Sequence, residues 1–236
     1  MTARASTARK ARERELVAAT RAFFDERGVQ EAGVEEIAQA VGIARGLIYR
    51  HFSSREELYV LTVTDYLDEL AGELEQAIAE DDDPVLQLER CTRAYASYCQ
   101  RYPAFLDASL ALMQGPARQL YERISESVWL RLGQGMARCI ESLAATLRRG
   151  VEAGVFEVED PDYTANVLWT QGLGAMHLAR IRVGVRQAAP GVPTLFKVEP
   201  DRVIDSCVAS AMALVAPTSP PPAASKPPRS AARPRG

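Results

Sequence analysis

Between Gly42 and Tyr59 the sequence GIARGLIYRHFSSREELY sets Arg45, Tyr49, Arg50, His51 and Arg55 among Ile43, Leu47, Ile48 and Phe52. Guanidinium groups and aromatic hydroxyls packed this closely share one chemistry. They donate hydrogen bonds to anionic oxygens, and an arginine fork also fits the paired acceptors on a guanine edge. To act together they must leave the core on one side. Ile48 and Phe52 are four apart and face inward if the segment is helical, so Arg45, Gly46, Leu47, Tyr49 and Arg50 line the outer side, which begins at Ala44. Arg45, near the helix start, can reach a base edge, and Gly46 lets the backbone come close. Tyr49, His51 and Arg55 suit phosphate oxygens, and the amides following Ser53 and Ser54 add an anion site.

Other chemistries find little material. The chain has two histidines, His51 and His177, and lacks a nucleophile elbow, a phosphate-binding glycine loop and a metal-ligand cluster, so it reads as a non-enzyme with no cofactor and no metal. Cys91, Cys99, Cys139 and Cys207 form no C-x-x-C pair and read as reduced core residues. No apolar run reaches the length of a membrane span, and the basic start MTARASTARKARERE has no apolar segment behind it. The protein reads as cytoplasmic.

The elements that must hold the outer face are helices. Apolar residues recur at helical spacing throughout, no segment alternates as a strand, and the expected class is all-α. A first helix runs from about Thr7 to Glu26 on a stripe of Leu16, Thr20, Phe23 and Phe24, and Gly28 ends it. Val34 to Ala40 forms a second, with Gly33 at its N-cap, and Gly42 breaks it. A third runs from about Ala44 to His51. These make a three-helix head with a helix-turn-helix, whose second helix enters a DNA major groove. Ser53 with Glu56, or Ser54 with Glu57, fits a capping box for a long fourth helix to Ala79. Asp83-Pro84 and Asp160-Pro161 start further helices, ending near Arg101 and Val183. Pro103 starts a short one. After an interruption at Gly115-Pro116 a long helical run extends to about Ala153, with Gly133 to Gly135 as a candidate break. VRQAAPGVPTLFKVEP reads as a loop, and Pro200 to Val215 as the last helix.

Three parts follow. Residues 1–55 are the DNA-binding domain with a basic leader, 56–216 an effector-binding and dimerisation helical domain, and 217–236 a disordered, basic, Pro-rich tail. Residues 1–55 carry ten basic side chains against seven acids, and the tail has four basic side chains and no acid, while the whole chain is at −3. Basic ends on an acidic body suit a protein that turns one face to a polyanion.

The run GVEEIAQAVGIARGLIYRHFSSREELYVL resembles the DNA-binding signature of the TetR family of one-component transcriptional regulators. The resemblance spans about residues 10 to 60 and rests on Ile37-Ala38, Val41-Gly42, Gly46, Ile48-Tyr49, Phe52 and Ser54-Arg55-Glu56-Glu57-Leu58. It implies a homodimer with two heads on a ligand-binding body, usually a repressor that a small effector releases from a palindromic operator. By that pattern Tyr49, His51 and Arg55 contact phosphates, and Arg45, Gly46, Leu47 and Arg50 meet base edges. Gly33 and Ala44 stand where the family often has a hydroxyl residue, and Leu47 replaces a commonly small or polar one; the latter suits contact with thymine methyls.

In the body, Tyr95, Tyr98, Cys99, Phe105, Met113, Trp129, Trp169 and His177 supply aromatic walls and polar handles for a small-molecule cavity, and few cations lie among them, which favours an apolar or weakly polar effector. The last two helices fit a four-helix dimer interface, with Trp169, Gly172, Leu173, Val203, Val208 and Met212 as its residues. The expected partners are operator DNA, a second copy and an effector, with no membrane. The alternative is a helical ligand-binding or scaffold protein without specific operator binding.

Overall fold

The computed structural model describes residues 3–29, 33–79, 83–114 and 121–217. Gly115, Pro116, the acids at 80–82 and the tail beyond Pro217 lie outside these, as do the readings placed on them. The head is α1 (Ala3–Arg27), α2 (Val34–Ala40) and α3 (Arg45–Ile48). The body is α4 (Arg55–Ala79), α5 (Pro84–Arg101), α6 (Pro103–Gln114), α7 (Glu126–Glu152), α8 (Pro161–Ile181) and α9 (Pro200–Val215).

The all-α reading holds except between α8 and α9. There β1 (Val183–Ala189) and β2 (Val192–Lys197) form an antiparallel hairpin in the stretch read as a loop. The local chemistry is that of a hairpin: Val183 and Val185 alternate with Gly184 and Arg186, and Pro190-Gly191 closes a two-residue turn with Gly191 at φ 75. Proline followed by a positive-φ glycine is the pairing of a type II turn.

Local signals place the helix starts. Asp83 accepts from the Val85 amide at 2.9 Å and Asp160 from the Tyr163 amide at 2.9 Å, each followed by a proline whose missing N–H costs the first turn nothing. The long run before Gly154 begins at Ser125 and is unbroken at Gly133 and Gly135. Gly135 serves close approach instead: a Cβ there would lie 3.2 Å from Leu67 Cβ on α4. With Leu67, Leu70 and Leu74 fully covered, α4 packs most extensively on α7 and is the axis of the body. Its buried Thr62 and Thr64 donate to the carbonyls of Leu58 and Val60, both at 2.9 Å, so their hydroxyls cost little in the core.

The head is pinned to that axis. Arg21 of α1 pairs with Asp65 at 2.7 Å and with Glu69, lies 4.1 Å over the Tyr66 ring, and Asp25 accepts the Tyr66 hydroxyl at 2.6 Å. Burial disfavours the Arg21 charge, but the two carboxylates outweigh it and hold the guanidinium more firmly protonated than usual.

Candidate nucleic-acid interface

The helix-turn-helix is set by backbone chemistry. Gly33 extends into the N-cap of α2 with no hydroxyl to offer the first turn, and only the reverse half of a capping box forms, Gly33 N–H to Glu36 Oε2 at 3.4 Å. At the other end Gly42 takes φ 68, its amide donates to Gln39 O at 3.1 Å and the Ile43 amide to Ala38 O at 2.9 Å. That pair of bonds caps the helix through a left-handed residue and turns the chain toward α3.

The regular part of α3 is shorter than the expected Ala44 to His51. After Arg45–Ile48 the chain continues in tighter i→i−3 turns, Arg50 N to Leu47 O at 3.2 Å and His51 N to Ile48 O at 2.8 Å. The two-sidedness survives. Ile48 and Phe52 are each 1% exposed and pack with Ile37, Ala38, Leu16 and Phe24. Ala44, Arg45, Gly46, Leu47, Tyr49 and Arg50 are all exposed, and nothing lies within 4 Å of where a Gly46 Cβ would be. The structure therefore brings six of the expected contact residues to one open surface. Arg45 is parked across it: Tyr49 and then Glu35 hold its charge, with the guanidinium 5.8 Å from the Tyr49 ring. Such exposed pairs are weak enough to exchange for a better acceptor.

His51 and Arg55 lie beyond that surface along the chain, and Tyr49 and Arg50 also line the crevice that holds His51. His51 is half-buried, its Nδ1 covered and unpartnered among the described residues, in a crevice between head and body that Arg9, Glu13, Ser125 and Arg131 also line. Arg55 is exposed at the start of α4 and donates to the Tyr59 hydroxyl at 2.6 Å.

Glu57 has a role that sequence spacing did not disclose. The Ser54–Glu57 option forms, the Glu57 amide donating to Ser54 Oγ at 3.0 Å. The carboxylate, however, reaches the Ser53 amide, and its other oxygen accepts from the hydroxyl of Ser125 and, at 3.4 Å, from the Ser125 amide at the start of α7. Glu57 is 5% exposed. Burial alone would push its carboxyl up; the donors from Ser125 and Ser53 prevail and hold it below the ordinary carboxylate value. Ser54 Oγ also donates to the Arg123 carbonyl at 2.7 Å, and Arg131 of α7 pairs with Glu13 of α1 at 2.6 Å. The start of α7, from Ser125 to Arg131, is thus tied to the start of α4 and to α1.

The body holds two mainly apolar cavities. One, of about 310 Å3, lies among Leu74, Cys91, Tyr95, Cys139, Trp169 and Gly172. The other, of about 340 Å3, lies among Val63, Leu67, Met113, Trp129, Met136 and Trp169. Trp169 is the wall between them, held by Tyr95, whose ring stands 4.7 Å away and whose hydroxyl donates to the Trp169 carbonyl at 3.2 Å. Burial pushes the Cys91 and Cys139 thiols up to about 12, so they line the cavity as neutral, soft groups. Of the candidate effector residues, Tyr95, Trp169, Met113 and Trp129 reach these cavities. Tyr98 and Phe105 fill the core, each 0% exposed, Cys99 lines a smaller hollow beside Arg180, and His177 is on the surface.

The candidate dimer residues mostly face their own chain. Trp169, Leu173, Val203 and Val208 are buried within it, Met212 is half-buried, and a Cβ on Gly172 would lie 2.5 Å from the Tyr95 ring. The outward row of α8 is Gly174, Leu178 and Ile181, and that of α9 includes Ser206, Ala209 and Ala213.

Residues 16–61 match the family model described as bacterial regulatory proteins, tetR family. The HTH-type transcriptional activator FasR of Mycolicibacterium smegmatis is 33% identical over 85 residues, 36% of this chain and 38% of that protein. The HTH-type transcriptional repressor KstR2 of Rhodococcus jostii is 32% identical over 84 residues, 36% of this chain and 41% of that one. The matches thus span about two fifths of the length of these curated relatives. The TetR-family regulator PfmR of Thermus thermophilus has the same fold, with TM-score 0.57 and 24% identity over 85% of this chain and 96% of the other.

Proposed function

From the premise that this chain belongs, through its N-terminal head, to the tetR family of bacterial regulatory proteins, we infer that it is a DNA-binding regulator of transcription. In this reading it is a homodimer that holds a palindromic operator and is released by a small apolar or weakly polar effector, and it acts as a repressor. The observation that carries the reading is the open surface of Ala44, Arg45, Gly46, Leu47, Tyr49 and Arg50, whose opposite side is locked by Ile48 and Phe52. A short segment with cations and a phenol outside and two covered apolar anchors inside presents base-reading and phosphate-holding groups at fixed positions. One such segment covers too little of a duplex for tight binding, so two heads on a two-fold axis support each other.

The cavities support the effector. Their volumes fall at the lower end of small-molecule sites, and their lining favours a compact, largely uncharged molecule. The one beside Met113 and Trp129 touches α7 one turn beyond Ser125, which Glu57 joins to the turn before α4. A ligand that shifts the start of α7 acts on that joint and so on the spacing of the heads, to the extent of its differential affinity for the two arrangements.

A footprint on the DNA upstream of the protein's own gene tests the function. Two protected half-sites related by a two-fold axis, about one helical turn or a multiple apart, are expected. Uniform weak protection without a preferred site would favour a helical ligand-binding protein that does not read an operator.

A further inference from the structure

Both faces of the β1–β2 hairpin meet solvent, one of them partly screened by its own side chains. In an antiparallel pair, directly opposed residues share a face. Gly184, Phe196, Arg186 and Thr194 share the first, where the Phe196 ring lies on Gly184, leaving no room for a Cβ, and the Arg186 guanidinium stands 5.9 Å from that ring. Val183, Lys197, Val185 and Leu195 share the second, where the three apolar side chains are 42%, 69% and 66% exposed and Lys197 stands at the edge, paired with Glu199. Two strands alone are marginal in water, and the opposed Val185 and Leu195 on this face are the most exposed large apolar residues of the pair.

That face does not stand in isolation. Gly174, Leu178 and Ile181 lie on one side of α8 at spacings of four and three, all exposed, and a single left-handed residue, Arg182 at φ 56, joins them to Val183 and Val185. The middle of the outward side of α9 is small, with Ser206, Ala209, Ser210 and Ala213, and its one large exposed apolar residue is Leu214 near the end. A standard interface takes about 20–30 residues a side, more than two short helix rows provide. A strand of this length reaches roughly 23 Å, about twice the width of a helix.

We propose that the hairpin is a dimerisation arm whose Val183–Val185–Leu195 face lies on a second copy of this chain, extending the α8–α9 face beyond the helices. The inference rests on the homodimer reading above. On this account the connection between the last two helices adds apolar area to the exposed Leu178 and Ile181 of α8 and the small outward residues in the middle of α9.

Sedimentation of the full chain across a concentration series, with and without the Val185→Lys/Leu195→Lys pair, tests it. Both positions are exposed, so the folded far-UV circular dichroism spectrum should match wild type, while the melting point falls only as far as the loss of dimer requires. The expected result is a wild-type dimer and a variant whose dimer dissociation constant rises about 100-fold or more, with a photo-crosslinker at position 185 giving covalent dimer in the wild-type background. A dimer of unchanged affinity and no crosslink would overturn the arm while leaving the homodimer intact. A monomeric wild type would overturn both. Unchanged dimerisation with weakened DNA binding would also overturn the arm and move the face to the duplex.

Discussion

Replacing Glu57 by Gln keeps the shape of the joint between head and body and removes its charge. The carboxylate now accepts from the Ser53 amide on one oxygen and from the Ser125 hydroxyl and amide on the other. Hydrogen bonds to a charged acceptor contribute about 1.5–3 kcal/mol and neutral ones about 0.5–1.5, so converting two of them costs about 1–3 kcal/mol. The glutamine amide also turns an N–H toward one of those donors, which brings the expected loss to about 2–4 kcal/mol. In a chain of this size each kcal/mol is worth roughly 2–4 °C, so Glu57→Gln should melt about 4–16 °C below wild type at neutral pH. Because the folded-state pKa is depressed, this stabilisation is present above the ordinary carboxylate value and fades as pH falls through the lower folded value. The gap between wild type and Glu57→Gln should therefore narrow below about pH 4. Thermal unfolding at a series of pH values, with Ser125→Ala and the double variant completing a cycle, reads both effects. Melting points within about 1 °C of each other at pH 7, or a gap that widens in acid, would refute the reasoning.

Arg21→Ala removes a cation 16% exposed between two carboxylates that water can still reach, so a loss of about 1–3 kcal/mol in urea unfolding is expected. Gly172→Ala places a Cβ 2.5 Å from the Tyr95 ring, which should cost about 1–3 kcal/mol by thermal melting and reduce uptake of an uncharged fluorescent probe by the cavity beside Cys91. Effector release should weaken in Ser125→Ala although that residue lines neither apolar cavity, which titration of effector against the preformed DNA complex would detect.

What the sequence disclosed was local. The caps, the turn at Gly42 and the four-residue spacing of Ile48 and Phe52 all fall within a short segment, and each is decided by neighbours a turn away. Glu57 was legible as a cap for the same reason, but its second oxygen meets Ser125, 68 residues on, and no spacing rule reaches that far. Pocket walls were legible only as apolar residues: Tyr98 and Phe105 pack ring to ring at 5.3 Å, whereas Trp169 has space on two sides, and periodicity is the same for both. In α8 and α9 apolar character does not separate the two sides: Trp169, Leu173 and Val203 are buried in the chain's own core, whereas Leu178, Ile181 and Leu214 are exposed, and periodicity reads both groups alike. The hairpin escaped because strands depend on pairing, and its alternation is short, from Val183 to Arg186, before Pro190, Gly191 and Pro193 give loop signals.

The outer side of α3 is tested most directly by measuring operator affinity for wild type, Arg45→Ala and Tyr49→Phe against a set of single base-pair changes. The account predicts that Arg45→Ala flattens the preference at one position in each half-site, on the order of tenfold or more, while Tyr49→Phe weakens every sequence alike. Identical affinities for all three proteins, or the same pattern from both variants, would contradict it.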